Sequence, residues 1–102
     1  ETAGRLPMLF LGSSHVWSQA HCDISTSAFL QLEGRKRWIL YAPSQTPYLY
    51  PYGQQRNLAY NAGVNVFCPT ADFPLFQRAR GLEVVVGPGD VLVFPSMWWH
   101  GV

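Results

Sequence analysis

Almost every apolar run in this 102-residue chain is short and closes on a turn residue. Runs of that length bounded by Gly, Pro, Asn and Ser are strand signals, because a helix needs its apolar period sustained over ten residues or more. Leu82-Glu83-Val84-Val85-Val86 stops at Gly87-Pro88-Gly89-Asp90, and Val91-Leu92-Val93-Phe94 stops at Pro95. Residues 6–11 form a candidate strand that ends at Gly12-Ser13-Ser14. Residues 28–32 form another, turning at Glu33-Gly34-Arg35 into a strand over 36–41, which predicts a hairpin with a three-residue connection. Residues 48–76 are rich in Tyr, Pro, Gly and Asn and read as a long loop with at most a helical turn around 73–77. The chain is therefore expected to be all-β. Its composition, 48% apolar and 15% aromatic with only 13% charged residues, suits a packed β core and argues against disorder.

Within that framework the chemistry concentrates in His21-Cys22-Asp23 and in His100. On an extended strand, residues two apart leave the same face, so His21 and Asp23 would point together and Cys22 away. His100 follows the strand 91–94 and the Pro95 turn, which are placed to carry it back to the pair. Two imidazoles and one carboxylate are the donor set that binds non-haem Fe(II) facially and leaves coordination positions open. Zinc more often takes a closed tetrahedral shell, and no further Cys or His cluster supplies one. Lys36 follows the pair closely enough to be a charged neighbour of the metal, and an ammonium there suits a carboxylate ligand.

Each residue also has a plainer account. His21 and Asp23 alone would be an ordinary surface pair, and His100 a loop residue beside buried tryptophans. Lys36 sits in Arg35-Lys36-Arg37, where three solvated charges at a strand start would look the same. Trp98 and Trp99 either wall the site against water or fill the core, one role for each. His15, six residues before His21, has no strand parity to make it a ligand. It is the co-occurrence of His-x-Asp, Lys36, the Pro-Gly-Asp turn and Trp-Trp-His that favours a metal site.

The stretches His21-Cys22-Asp23, residues 29–40, Pro43, Leu49-Tyr50-Pro51, Phe73-Pro74-Leu75-Phe76, Gly87-Pro88-Gly89-Asp90-Val91-Leu92 and Pro95 through Trp98-Trp99-His100 occur in one order. That ordered set resembles the JmjC-type 2-oxoglutarate oxygenases, particularly the cupin-like subgroup around the asparaginyl hydroxylase that inhibits hypoxia-inducible factor. The resemblance extends over roughly residues 10–102. It implies a double-stranded β-helix, or jelly-roll, with Fe(II) held by His21, Asp23 and His100 and with 2-oxoglutarate as co-substrate. It also implies that Lys36 pairs with the distal carboxylate of 2-oxoglutarate. Ser18 stands where relatives often carry a Thr whose hydroxyl contacts that carboxylate. Ser27 stands where the hydroxylase has an Asn near the co-substrate, a departure from the pattern. The implied reaction consumes dioxygen, converts 2-oxoglutarate to succinate and carbon dioxide, and hydroxylates a C–H bond of a protein or peptide substrate.

Other functions are bounded by the same residues. N-methyl-lysine demethylation is an alternative reaction of such a site, and a cupin-like module that kept the fold and lost turnover is an alternative of another class. A sugar- or small-molecule-binding jelly-roll without iron is a third. A formal net charge of +1 gives no case for nucleic acid, including a tRNA substrate, and no run is long and apolar enough to span a membrane as a helix. Two cysteines, Cys22 and Cys68, make no disulfide framework, so a reduced intracellular setting, cytoplasmic or nuclear, is expected. The chain starts at Glu1 without Met and stops two residues past His100, which reads as part of one larger oxygenase core occupying 1–102. The substrate and the oligomeric state are not legible.

Overall fold

The computed structural model describes residues 7–52 and 60–102. These form eight strands: β1 (His21–Cys22), β2 (Ser27–Leu30), β3 (Lys36–Tyr41), β4 (Pro51–Tyr52), β5 (Tyr60–Ala62), β6 (Leu82–Val86), β7 (Val91–Phe94) and β8 (Trp99–Gly101). The helical content of the described residues is two 3-10 segments, Pro43–Tyr48 and Pro74–Arg78. Six strands make one sheet in the order β4-β5-β1-β8-β3-β6, and β2 and β7 make a second. All pairings are antiparallel. The all-β jelly-roll expected from the sequence is the fold observed.

The hairpin expected between residues 28–32 and 36–41 does not form. β2 pairs with β7, from Ser27 opposite Phe94 to Leu30 opposite Val91, while β3 pairs with β6 and β8. The turn at Glu33-Gly34, with Gly34 at φ +73°, carries the chain from the small sheet to the large one. The tight turn at Gly87–Asp90 makes the reverse crossing, and the two crossings are bonded together. Gln31 N–H donates to the Asp90 carbonyl at 2.9 Å, and Gly89 N–H donates to the Gln31 carbonyl at 2.8 Å. Separate sheets set the Phe29 and Trp38 rings 4.8 Å apart across the core, so each covers the apolar side of the other.

Two further expectations are corrected. Residues 7–11 form no strand, and Met8, Leu9, Phe10 and Leu11 are exposed; apolar composition without a neighbouring backbone to bond does not make a strand. Leu6 lies outside the described residues. The stretch 48–76 contains β4 and β5, too short to show a period, which widen the large sheet beside β1. Its residues 53–59 also lie outside the described residues.

Both faces of the large sheet are covered. On one face Ala20, Cys22, Tyr41, Leu49, Ala62, Val64, Val66 and Trp99 form a buried cluster roofed by the loop segments. On the other, facing the small sheet, Trp38, Leu40, Val86 and Phe94 are buried, with Phe29, Val84, Leu92, Trp98 and Val102 packed against them. Strand alternation sorts the residues: Lys36, Trp38 and Leu40 of β3 take the inner face and Arg37, Ile39 and Tyr41 the outer.

Candidate metal centre

In the large sheet β8 lies between β1 and β3, and His21 stands directly opposite His100. Opposite residues of an antiparallel pair project to the same face, so both imidazoles enter the space between the sheets with ring centroids 4.3 Å apart. Asp23 lies just past β1. Its carbonyl accepts the Met97 N–H at 2.7 Å, which ties it to the turn leading into β8. Met97 holds a left-handed conformation at φ 65°, a costly choice for a side chain with a Cβ and of a kind concentrated at functional sites.

Three observations make this cluster a donor set. Asp23 Oδ2 is 3.8 Å from Nε2 of His21 and 3.8 Å from Nε2 of His100. That is too long for a hydrogen bond and wider than the roughly 3 Å between adjacent ligands of one ion at metal bonds of about 2.0–2.2 Å, so binding would draw the three side chains inward. The three ligand atoms all lie within 4.8 Å of one another. Both rings are also anchored alike: Nδ1 of His21 is 3.0 Å from the Gln19 carbonyl and Nδ1 of His100 is 3.1 Å from the Trp98 carbonyl. A carbonyl only accepts, so each Nδ1 donates its N–H there and Nε2 is the nitrogen left facing Asp23.

The electrostatics agree. Burial, and then the nearby His21, push the His100 imidazole below its ordinary pKa, against the Trp98 carbonyl and Asp23, which raise it. A neutral imidazole is the form that binds a metal. His100 is only 4% exposed, whereas the side chains of His21 and Asp23 are 34% and 41% exposed. One flank of the cluster is sealed and the other is open to an incoming ligand. Cys22, between the two ligands, turns to the opposite face and is buried there. Burial raises its thiol pKa, the Tyr60 backbone hydrogen bond lowers it and the Asp23 charge raises it.

The remaining sequence candidates are spread around this cluster. Lys36 heads β3 opposite Val86, half-buried, on the inner face with Trp38 and Leu40. Leu40 is paired with His100, so Lys36 stands four residues along, about 13 Å of extended strand. On the backbone it is not a direct neighbour of the cluster but shares its face. Ser27 pairs with Phe94 on the small sheet and shares its face; the Phe94 ring is 4.5 Å from that of His100. Ser18 is exposed, with its N–H on the Val102 carbonyl at 2.9 Å. The two tryptophans divide as expected: Trp99 is in the outer core, and Trp98 packs against the inner cluster. His15 is exposed.

Residues 3–102 match the sequence profile described as the cupin-like domain. The chain belongs to the cupin-like domain family. It is 37% identical over 102 residues to HSPB1-associated protein 1 of Rattus norvegicus, covering 97% of this chain and 21% of that protein. The human protein of the same name is 35% identical over 102 residues, covering 97% of this chain and 21% of that protein. tRNA wybutosine-synthesizing protein 5 of Gallus gallus is 36% identical over 83 residues, which is 80% of this chain and 24% of that protein. The chain thus spans about a fifth to a quarter of the length of these relatives.

Two residues of this cupin-like domain belong to the site without having been singled out in the sequence. Asn61 of β5 stands directly opposite His21, and so shares the face of the cluster on its more open flank. Nothing in a three-residue strand signals that register. Trp38 carries a buried indole N–H with no hydrogen-bond partner among the described residues. Its place was readable, since it follows Lys36 by two on a strand and must share its face.

Proposed function

We propose that this domain is the core of an Fe(II)- and 2-oxoglutarate-dependent oxygenase of the JmjC type that hydroxylates a side chain of a protein or peptide. The observation that carries the proposal is the convergence of two carbonyl-anchored imidazoles and one carboxylate on a half-open site. His21, Asp23 and His100 would hold the iron, three protein ligands that leave three octahedral positions for exogenous ones. Bound iron with 2-oxoglutarate and dioxygen supplies the oxidative chemistry, in which decarboxylation to succinate is coupled to hydroxylation of a substrate C–H. Lys36 binds the far carboxylate, at a distance from the cluster that a five-carbon diacid spans together with a lysine side chain. Ser27 offers a hydroxyl on the facing sheet and Ser18 one at the rim, beside Val102. Phe29, Phe94 and Trp38 line the inner side and exclude water.

The test uses the full-length protein with Fe(II), ascorbate and 2-oxoglutarate. Succinate should form and should be lost in His21→Ala and Asp23→Ala; succinate unaffected by either change would refute the proposal. Metal and 2-oxoglutarate bound without succinate would make it a non-catalytic cupin-like module. The relative named as HSPB1-associated supports a protein partner, and a stable +16 dalton product on protein is the expected outcome. Formaldehyde from methylated peptides would instead indicate demethylation. The likeness to a tRNA wybutosine-synthesizing protein favours a second reading, hydroxylation of a tRNA nucleoside, which digestion and mass analysis of tRNA would reveal.

A further inference from the structure

We infer that the Trp38 indole N–H is a binding contact for the oxoacid, donating a hydrogen bond to it between the metal cluster and Lys36. The inference rests on the oxygenase reading and assigns this side chain a task within it. Trp38 is 4% exposed, and its Nε1 is buried without a partner among the described residues. Leaving a buried donor unpaired costs about 1–3 kcal/mol, so such groups point to a missing acceptor. The other fully enclosed indole meets that requirement inside the protein: Trp99 Nε1–H donates to the Thr46 hydroxyl at 3.0 Å, and Thr46 in turn donates to the Pro43 carbonyl at 2.6 Å.

The position of Trp38 says which acceptor is missing. Lys36, Trp38 and Leu40 alternate along the inner face of β3, and Leu40 is the residue paired with His100. A ligand reaching from the cluster to Lys36 must therefore pass Trp38, which stands midway. The Trp38 ring centroid is 6.2 Å from that of His100 and 6.2 Å from that of Phe94, with Phe29 on the other side at 4.8 Å. An indole N–H donates only, and a 2-oxoacid dianion accepts only, so the two are complementary. Among these apolar rings a hydrogen bond to an ionised acceptor is stronger than one between neutral groups.

The experiment loads the full-length protein with Zn(II), which is redox-inert and diamagnetic, and titrates 2-oxoglutarate and N-oxalylglycine by calorimetry. Trp38→Phe keeps an aromatic ring and removes the N–H. It should weaken both ligands by about five- to tenfold and leave Zn(II) affinity unchanged. In parallel, the wild-type indole 15N–1H signal that vanishes in the Phe variant should move on adding the oxoacid. Equal affinities in the two proteins, or an indole signal that stays in place while the oxoacid binds, overturn this inference and spare the oxygenase reading. No oxoacid binding to the wild-type protein overturns both. Should the Phe variant fail to fold, the wild-type indole signals decide alone: all of them unmoved refutes the contact.

Discussion

The two faces of the large sheet bury tryptophans of the same size and treat them differently. On the outer face Trp99 has its N–H bonded to Thr46, and the residues around it are apolar and closed. On the inner face Trp38 keeps an N–H with no partner among the described residues, and beside it stand two imidazoles, a carboxylate and a half-buried lysine. A face built for stability satisfies its polar groups internally. A face built for a ligand leaves donors and lone pairs pointing at each other's empty side, at a cost to the unliganded fold. The sheet thus has one face whose polar groups are satisfied internally and one that gathers a possible donor set.

That division can be broken by mutation, and the outer face should give the largest effect on stability. Leu49→Ala, at a fully buried position, is expected to lose about 2–5 kcal/mol in denaturant unfolding. Metal affinity of the folded variant should stay unchanged, and a parallel loss of affinity would mean the faces are not independent. Asp23→Ala is the mirror experiment. With the Asp23 side chain 41% exposed, metal-free stability should shift by no more than about 0.5 kcal/mol. Metal affinity should fall by more than the roughly 10–100-fold that loss of an outer partner of a ligand costs, measured by Zn(II) or Co(II) titration. Thr46→Val strips the acceptor from Trp99 and should cost about 1–3 kcal/mol in unfolding. Trp38→Phe, which removes an N–H with no acceptor among the described residues, should cost only the packing that the smaller ring gives up. The smallest perturbation is chemical: a thiol reagent should label exposed Cys68 in the folded protein and reach Cys22 only on unfolding. Fast labelling of Cys22 would show the outer core open.

The triad was legible because its members are marked by local patterns, His-x-Asp on an extended segment and Trp-Trp-His after a strand and a turn. The strand boundaries over 36–41, 82–86 and 91–94 were legible for the same reason, since alternation or an apolar run set between turn residues survives in one segment. What was not legible depends on partners. Gly34 at φ +73° serves a crossing between sheets as well as it would serve a hairpin, so the turn residue does not reveal which strand pairs with which. β4 and β5 have two and three residues, too few for any period, so Asn61 could not be placed beside His21. Residues 8–11 carry a strand's composition but pair with no strand among the described residues and stay exposed.

The order of strands in the large sheet has one more consequence. β8, which follows the other described strands in sequence, is inserted between β1 and β3 rather than added at an edge. Until residues 99–101 arrive, β1 and β3 each lack a neighbour, and the pairing of residue 21 with residue 100 closes nearly the whole described chain into a single loop. Contacts of such long sequence separation form late and fold slowly. An ion bound by both histidines would join the two sides of that closure, and would stabilise only molecules in which it has happened. Metal uptake would then be a readout of the insertion of β8 between β1 and β3, and a metal-starved population would be the one most exposed to opening at that strand.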